Sequence, residues 1–116
     1  MRFDSCGVIL LQIEVGGHVV EWDDNKAAIN FTKHGLKFST AAKVFLDENR
    51  YIETDELHSW DETRYKTIGL VGKVLTVIYT ERGENFRLIS ARRANKEERK
   101  TYYGQNRYLS RNATDT

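Results

Sequence analysis

The stretch VLTVIYTERGENFRLISA, residues 74–91, decides the fold because a polar turn separates two segments of alternating apolar residues. Alternation of this kind is typical of β-strands that are buried on one face. Gly83 can adopt the positive φ that a tight hairpin turn requires. We therefore predict an antiparallel hairpin with Arg82-Gly83 as its loop. In this register apolar side chains are opposite one another, with Tyr79 facing Phe86 and Val77 facing Leu88.

The segment after the hairpin, RLISARRANKEERKTYY at residues 87–103, combines the end of a strand with the start of a helix. Asn95, with Glu98 three residues later, resembles a capping box and predicts a third helix that begins near Lys96. Successive strand residues point to opposite faces, so Arg92 and Arg93 are expected to be on different faces. The predicted register places Arg92 with Phe86, Leu88 and Ser90, and Arg93 with Arg87, Ile89 and Ala91.

Two helices are predicted upstream of the sheet. The first covers residues 22–34, with Asp23 or Asp24 as its N-cap and Gly35 as its left-handed C-terminal residue. Within it Ala27 or Ala28, Phe31 and His34 recur at helical spacing. Ser39 is predicted to cap the second helix, TAAKVFLD.

Strands are predicted where the apolar period shortens, near residue 49. They cover residues 51–54, 65–71 and 73–80, with Gly72 in the turn between the last two, and the second strand of the hairpin follows. Two N-terminal helices, a mainly antiparallel sheet of about four strands and a C-terminal helix make an α+β fold.

The first 18 residues do not follow this plan, because Gly16-Gly17 interrupts an apolar stretch ahead of the first helix. One interpretation is an N-terminal extension over residues 1–18, produced by a start codon assigned too early. The other is an edge strand, Val8–Val15, that joins the sheet. Residues 19–111 are predicted to form a single domain, with a frayed tail at residues 112–116.

Composition and charge are those of a globular domain with an uneven surface. The chain has 116 residues, of which 40% are hydrophobic and 30% charged. Its longest apolar run, Val8–Leu11, is too short for a membrane span, so we expect no membrane association and a cytoplasmic location. Residues 1–62 hold 6 Lys+Arg and 12 Asp+Glu, whereas residues 63–116 hold 12 and 5. Such a division fits an anionic ligand, although a solvated charged surface produces the same pattern.

Several chemistries lack their sequence patterns. No HExxH, paired-cysteine or DxDxDG spacing is found around His58 or elsewhere, so no metal is expected. Neither GxGxxG nor GxxxxGK[ST] occurs, so no nucleotide cofactor is expected. Neither a serine nor the single cysteine, Cys6, has the setting of an acyl-transfer nucleophile, and one cysteine cannot form an internal disulfide.

Cations and aromatic residues are interleaved near the C terminus, and this pattern favours RNA as the anionic ligand. Eight Lys and Arg lie within residues 86–111 against Glu97 and Glu98. Arginine can bind a phosphate with two parallel hydrogen bonds, and the tyrosines Tyr102, Tyr103 and Tyr108 offer faces on which unpaired bases stack. Solvated helix cations and half-buried tyrosines are the alternative interpretation.

Cleavage of RNA does not require a metal ion. The 2′-hydroxyl can attack the adjacent phosphate when a base removes its proton, cations stabilise the phosphorane and an acid protonates the leaving oxygen. His34, at the end of the first predicted helix, is a candidate for the proton transfer, because histidine is largely neutral near pH 7. A lone histidine at a helix end also serves as a capping or packing residue.

Three groups of motifs carry a resemblance to a known family. They are EWDDNKAAINFTKHGLKFSTAAKVFLDE, then DELHS-x-x-ET-R, then VIYTERGE, ISARRA and EER-x-x-Y. Over roughly residues 20–103 the chain resembles the BrnT toxins of bacterial type II toxin–antitoxin systems. The resemblance implies a RelE-like fold and an endoribonuclease that inhibits growth. It also implies a BrnA-like antitoxin partner, through which alone operator DNA is contacted.

The resemblance also implies a set of site residues. Arg64 and Arg92 would hold the scissile phosphate, Tyr102 would order the nucleotide or the proton transfer, and His34 or Glu62 would be the base. The implied RNA contacts are Lys33, Arg93, Arg99 and Tyr103, of which Arg93 is open to antitoxin contact instead. A non-enzymatic RNA- or DNA-binding module, and a module that binds only the antitoxin, are the alternatives.

Overall fold

The computed structural model describes residues 2–3, 9–56 and 62–105 of the chain. Cys6, His58, Tyr108 and the predicted tail lie outside these residues. The strands are β1 (Arg2–Phe3), β2 (Ile9–Val15), β3 (His18–Asp23), β4 (Tyr51–Thr54), β5 (Arg64–Val71), β6 (Lys73–Arg82) and β7 (Asn85–Arg93). The helices are α1 (Asp24–His34), α2 (Phe38–Ala41), a 3-10 helix (Ala42–Leu46) and α3 (Lys96–Gln105). Within these ranges no helix is long and apolar enough to cross a membrane.

The described strands form one seven-stranded sheet in the order β1-β2-β3-β7-β6-β5-β4. All neighbours are antiparallel except β3 and β7, which pair in parallel over a short register, so the sheet is mixed. The predicted α+β class is confirmed, and the predicted strands correspond to β4, β5, β6 and β7. The expectation of about four strands is too low, because the N-terminal residues add three more.

Residues Ile9–Val15 form a strand of this sheet, but it is not the edge strand of the second interpretation, because β1 pairs along its outer side. β2 pairs with β3 from Leu10↔Asp23 to Val15↔His18. The connecting turn is Gly16-Gly17, whose φ angles of 56° and 85° are readily adopted only by glycine. Leu10 and Val15 are buried, so the segment contributes to the apolar core.

Truncation of the chain to begin at Val20 is expected to destabilise it strongly. The change removes β1, β2 and the buried side chains of Leu10 and Val15, whose burial is worth roughly 4 kcal/mol in total. The melting temperature should fall by about 10 °C or more. Removal of residues 112–116, the predicted frayed tail, is the control and should leave the melting temperature unchanged. An equally small effect of both truncations would show that β2 is dispensable.

The β6–β7 hairpin has a different register from the predicted one. Its loop is Gly83-Glu84, since Arg82 pairs with Asn85, and Tyr79 is opposite Leu88 rather than Phe86. Gly83 has a φ of 63°, and no residue other than glycine has a positive φ among those described. The loop therefore carries its glycine first, as a type II′ turn does. The predicted loop would have required Arg82 in that position.

A β-bulge in β7 alters which side chains share a face. The register shifts between Ile78 and Tyr79, which leaves Ile89 without a partner on β6. Beyond the bulge Thr76 pairs with Arg92, and before it Thr80 pairs with Arg87. The prediction that Arg92 shares a face with Phe86 and Leu88 is therefore wrong. Arg92 and Ser90 share a face with Arg87, whereas Arg93 lies on the opposite face with Leu88 and Ala91.

The ends of α1 are confirmed. The amide of Asn25 donates to Asp23 Oδ1 at 2.8 Å, and Gly35 closes the helix with a φ of 65°. The buried side of α1 is not the one that the apolar spacing predicts. Asn30 is buried, whereas Ile29 and Phe31 are exposed.

The second helix begins one residue before the predicted Ser39 cap. Lys37 occupies the N-cap position without a side-chain hydrogen bond, and the helix changes to 3-10 geometry at Ala42. Phe38 is buried, with its ring 6.1 Å from that of Trp22, so packing sets this start. The 3-10 helix lies so close to β5 that a Cβ added to Gly69 would clash with the side chain of Val44.

The two faces of the sheet are covered unequally. One face, here called the helix face, carries the main core, in which α2 and the 3-10 helix pack on β3, β5, β6 and β7. On the other, here called the open face, a small core of Ile68, Val74, Ala94 and Tyr102 lies under α3. Most of the side chains on the open face of β5, β6 and β7 lie beyond this small core.

Candidate nucleic-acid interface

Three rows of side chains cross the open face of β5, β6 and β7. The strand register defines them as Arg64–Thr80–Arg87, Lys66–Ile78–Ser90 and Ile68–Thr76–Arg92. Neighbouring strands are about 5 Å apart and successive rows about 7 Å apart. Four cations therefore lie along the two edges of a platform that is about 10 Å wide. They are Arg64, Lys66, Arg87 and Arg92. The bulge at Ile89 is what places Arg87 and Arg92 together on it, and bulges are common beside functional sites.

Three depressions that share lining residues adjoin one another beside this platform and are together called the open-face groove. Their volumes are about 420, 160 and 150 Å³, and Ile89 lines all three. This open-face groove takes Arg64, Lys66 and Arg92 from the sheet and Lys33 and His34 from α1. Glu62 and Arg87 line the depression of about 160 Å³. The structure thus brings together Lys33, His34, Glu62, Arg64 and Arg92, which were singled out in the sequence.

Asn30 places α1 beside the groove. Its Nδ2 donates to the carbonyl of Ala91 at 2.9 Å, and its Oδ1 accepts from the amide of Ala91 at 3.0 Å. β3 pairs with β7 only at Val20 and Glu21. Further along β7, the side-chain amide of Asn30 therefore takes the place of a neighbouring strand. This contact fixes the helix that carries Lys33 and His34. This role of Asn30 could not be predicted, because an asparagine inside a helix has no distinctive spacing.

Substitution of Asn30 by alanine is expected to lower the free energy of unfolding by about 2 kcal/mol or more. The change leaves the buried amide and carbonyl of Ala91 unpaired, at a cost of about 1–3 kcal/mol for each group. Urea denaturation would measure it. Thr32→Ala is the matched control on the same helix, because its exposed hydroxyl only bonds back to Ala28, and it should change stability by less than about 0.5 kcal/mol. Equal effects would contradict the assigned role of Asn30.

A buried ion pair joins β3 to the platform. Arg87 donates from Nε to Glu21 Oε2 at 2.8 Å and from Nη2 to the same oxygen at 2.5 Å. Asn85 Nδ2 donates to Glu21 Oε1 at 2.8 Å. The Glu21 side chain is fully buried, whereas that of Arg87 is 23% exposed. Arg87 is thus held by the N-terminal part of the sheet while it lines the groove.

Arg92 and Lys66 share one carboxylate, that of Glu98. Arg92 donates from Nη1 and Nη2 to the two oxygens at 2.7 and 2.9 Å, and Lys66 Nζ is 2.9 Å from Oε2. Burial opposes ionisation of Glu98, but hydrogen bonds from Arg92, the amide of Asn95, Lys66 and Thr76 hold its pKa well below its usual range. Glu98 therefore stays charged at neutral pH.

Lys66 is a groove residue that the sequence analysis missed. Burial lowers the pKa of its ammonium, but the carboxylates of Glu98 and Glu53 outweigh this and raise it. Lys66 is therefore cationic at neutral pH. Its position two residues after Arg64 on a strand was the signal available, because such residues share a face. Asp55 also lines this part of the groove.

Tyr102 is in the small core under α3 rather than in the lining of the three depressions. Its side chain is buried, and its hydroxyl donates to Asp47 Oδ2 at 2.6 Å. Burial, followed by the hydrogen bond to Asp47, raises the pKa of the phenol far above its ordinary value. Asp47 Oδ2 also accepts from the amide of Leu70 on β5 at 2.8 Å. This network anchors α3 to the sheet.

The remaining RNA-contact candidates lie outside the lining of the groove. Arg93, on the helix face, lines a separate depression of about 330 Å³ together with His34 and Lys73. Arg99 is exposed on α3 and donates from Nη1 to the carbonyl of Ala94 at 2.8 Å. Tyr103 is partly exposed, with its ring 5.1 Å from that of Tyr102.

The groove combines a high density of positive charge with acid–base groups. Arginine edges and an ammonium can bind successive phosphates of a nucleic acid, whose non-bridging oxygens accept such hydrogen bonds. The same groove is lined by a histidine, His34, and by the carboxylates of Glu62 and Asp55. Among residues 9–56 and 62–105, no three His, Cys, Asp or Glu side chains converge as metal ligands would.

Comparisons with known proteins agree with the resemblance in the sequence. A family model described as the ribonuclease toxin BrnT of type II toxin–antitoxin systems matches residues 22–98. A crystal structure of the Brucella abortus ribonuclease toxin BrnT aligns with a TM-score of 0.53 and 26% identity, over 65% of this chain and 94% of that chain. A comparison with curated protein sequences gives no significant match. The family match begins at Trp22 on β3, so β1 and β2 precede it. The chain belongs to the BrnT family of ribonuclease toxins of type II toxin–antitoxin systems.

Proposed function

We propose that this protein is an endoribonuclease toxin that cleaves RNA in the open-face groove without a metal ion. The observation that carries the proposal is the convergence of His34, Glu62, Arg64 and Arg92 on adjoining depressions that share Ile89. These residues are far apart in the sequence and come from a helix, two strands and the segment before β5. Their meeting at one surface supports a shared chemical role, and family membership supports RNA as the substrate.

The proposed reaction is an internal transesterification. A base removes the proton of a 2′-hydroxyl, whose oxygen forms a bond to the adjacent phosphorus while the bond to the 5′-oxygen breaks. An acid protonates that 5′-oxygen, so the products carry a 2′,3′-cyclic phosphate and a 5′-hydroxyl. Arg64 and Arg92 hold the phosphate and stabilise the charge that develops on its oxygens, and Lys66 adds a third cation.

His34 and Glu62 are the proposed candidates for the base. His34 lines the groove at the end of α1, and a neutral imidazole can both take up and return a proton near pH 7. Glu62 lines the groove just before β5, and its carboxylate is 3.0 Å from Arg82 Nη2, a contact that orients it there. Tyr102 is proposed to act from the core, by fixing α3 to Asp47, rather than on the nucleotide itself.

The proposed partner is a BrnA-like antitoxin that neutralises the toxin in the cytoplasm, with operator DNA contacted only through that antitoxin. Membership of a type II toxin–antitoxin family supports a protein antitoxin. Lys33, Arg93, Arg99 and Tyr103 are the proposed further contacts with RNA or, for Arg93, with the antitoxin. Arg93 and the groove cations are on opposite faces of the sheet, and His34, at the end of α1, lines depressions on both sides.

Cleavage by the purified protein is the test of this function. Total RNA, alone and on ribosomes, would be incubated with the protein in excess EDTA, and the ends of the products would be determined. We expect fragments with cyclic phosphate and 5′-hydroxyl ends, growth arrest on induction, and rescue by co-expression of the antitoxin. Binding of RNA without cleavage under all of these conditions would leave a non-enzymatic binding module as the correct description.

A further inference from the structure

We propose that Glu98 is a positioning residue for RNA cleavage, because its one buried carboxylate holds Arg92 and Lys66 side by side in the groove. This inference rests on the proposed ribonuclease function. It assigns a role in the site to a residue whose sequence context indicates only a helix cap.

The carboxylate of Glu98 is buried among hydrogen-bond donors that come from several elements. Its side chain is 6% exposed and accepts from both terminal nitrogens of Arg92, from Lys66 and from the hydroxyl of Thr76. The Thr76 hydroxyl is 2.9 Å from Oε1, and the amide of Asn95 donates to the same oxygen at 2.9 Å. These partners come from β5, β6, β7 and the start of α3. One carboxylate therefore ties three strands and a helix together.

The ion pair leaves Arg92 able to bind a phosphate. Glu98 occupies the end of the guanidinium, through Nη1 and Nη2, and the carbonyl of Arg93 takes a further Nη1 hydrogen. The edge formed by Nε and the second Nη2 hydrogen has no protein partner among the described residues. A guanidinium has five donors, and this edge suits a bidentate contact to two phosphate oxygens. The Arg92 side chain is 38% exposed, so solvent and ligand can reach it.

Without Glu98 the two cations would repel each other, and each would be free to move away from the site. Lysine and arginine side chains each have about 2 kcal/mol of rotamer entropy, so fixing them before RNA binds removes a cost from the reaction. Preorganised charges also need no rearrangement when the charge develops on the phosphorane. We therefore expect Glu98 to affect the rate of the chemical step more than the affinity for RNA.

The position of Glu98 depends on α3. The amide of Glu98 donates to Asn95 Oδ1 at 2.8 Å, which completes the predicted capping box. Three residues after Arg99, Tyr102 fixes the same helix to Asp47. A continuous set of contacts thus runs from Asp47 through α3 to Glu98 and its two cations. Through these contacts Tyr102, which is in the small core, can affect the positions of Arg92 and Lys66 in the groove.

Glu98→Gln is the test, with RNA affinity and single-turnover cleavage rate measured separately. The variant keeps the size of the side chain and one acceptor oxygen but removes the negative charge. We expect the rate to fall about 100-fold, as small misplacements of reacting groups can cause. The dissociation constant for RNA should stay the same or decrease, because the protein gains a net positive charge. A merely structural defect would weaken affinity and rate together.

Matched variants complete the test. Glu97→Gln makes the same charge change at a neighbouring side chain that is 81% exposed, and its cleavage rate should stay within about twofold of wild type. Glu98→Asp restores the charge and should recover part of the rate. On a Lys66→Met background, Glu98→Gln should cost less than it does alone, because the two residues act through one contact.

Three outcomes separate this inference from the function on which it rests. If wild type cleaves RNA and Glu98→Gln cleaves at the same rate, the positioning role is wrong and the ribonuclease function stands. If affinity and rate of Glu98→Gln fall in proportion, Glu98 is structural only. If the wild-type protein cleaves no RNA under any condition, the proposed function itself fails.

Discussion

Replacement of Arg92 by methionine is expected to reduce the single-turnover rate of RNA cleavage by two to three orders of magnitude. Removal of one donor that stabilises developing charge typically has an effect of about 10²–10³. Arg92 lines the largest of the three depressions, and its Nε edge has no partner among the described residues. Loss of this side chain leaves Glu98 paired with Lys66, so the fold should be maintained.

Arg93→Met is the matched control for this prediction. It removes the same type of side chain one residue further along β7, from the opposite face of the sheet, and it gives the same change in net charge. We expect its cleavage rate to stay within about tenfold of wild type, since Arg93 is outside the groove and its loss weakens a peripheral contact with RNA but not the binding of the scissile phosphate. Equal losses for the two variants would indicate a general effect of charge, and a larger loss for Arg93→Met would place the site on the helix face.

Arg87→Met is expected to be the most destabilising of the surface-cation variants. It leaves the carboxylate of Glu21 fully buried without its cation, and breaking a buried pair in this way costs about 3–5 kcal/mol. Urea denaturation followed by tryptophan fluorescence would report the change through Trp22, which neighbours Glu21 and is buried. Because the pair joins β3 to β7, we expect the N-terminal strands to detach at lower urea concentrations.

Two comparisons test the physical reason for that loss. Arg82→Met removes an exposed cation that is 3.0 Å from Glu62, and it should change stability by less than about 1 kcal/mol. The double variant Glu21→Met/Arg87→Met removes both charges and should recover much of the stability that Arg87→Met loses. A double variant that is as unstable as the two single changes combined would show that shape rather than charge is responsible.

The elements that could be predicted from the sequence are those with local chemical signals. Asp23 and Gly35 mark the ends of α1, and the Asn95–Glu98 capping box marks the start of α3, where reciprocal hydrogen bonds of 2.8 and 2.9 Å are present. Each signal depends on a few neighbouring residues. The second helix was placed less well, because the packing of Phe38 against Trp22, not a cap, determines where it begins.

The β7 bulge could not be predicted, because it depends on partners that are distant in sequence. Nothing within residues 85–93 distinguishes Ile89 from its neighbours, yet its exclusion from the register inverts the faces of all later residues. Sequence alternation consequently placed Arg92 with Leu88 instead of with Arg87. Arg92 was preferred to Arg93 because of the family resemblance. The strict alternation of faces holds only as far as the bulge, so it predicted the wrong neighbours for Arg92.

The candidate site could be predicted only in part. The family motifs carry His34, Glu62, Arg64 and Arg92, and the fold brings them to one groove. Lys66 was not predicted, although it is two residues after Arg64 on the same strand, because it is outside both the family motifs and the cation-rich segment of residues 86–111. The second function of Glu98, beyond capping α3, becomes visible only when its contacts with two strands are known.

The N-terminal strands add a feature outside the matched family region. Residues 22–98 match the family model, whereas β1, β2 and most of β3 precede it. These strands extend the sheet beyond β7, and Glu21 joins them to Arg87 on the platform. The extension is thus connected to the edge of the groove by a buried ion pair in addition to the pairing of β3 with β7.

The central claim is that RNA occupies the open face of the sheet, and NMR chemical-shift mapping tests it most directly. The uniformly labelled protein would be titrated with a short RNA in which 2′-deoxy nucleotides prevent the internal transesterification. We predict that the largest shifts will be at Arg64, Lys66, Ser90 and Arg92 and at Lys33 of α1. Shifts confined to Lys73, Arg93 and the depression on the helix face would contradict the account.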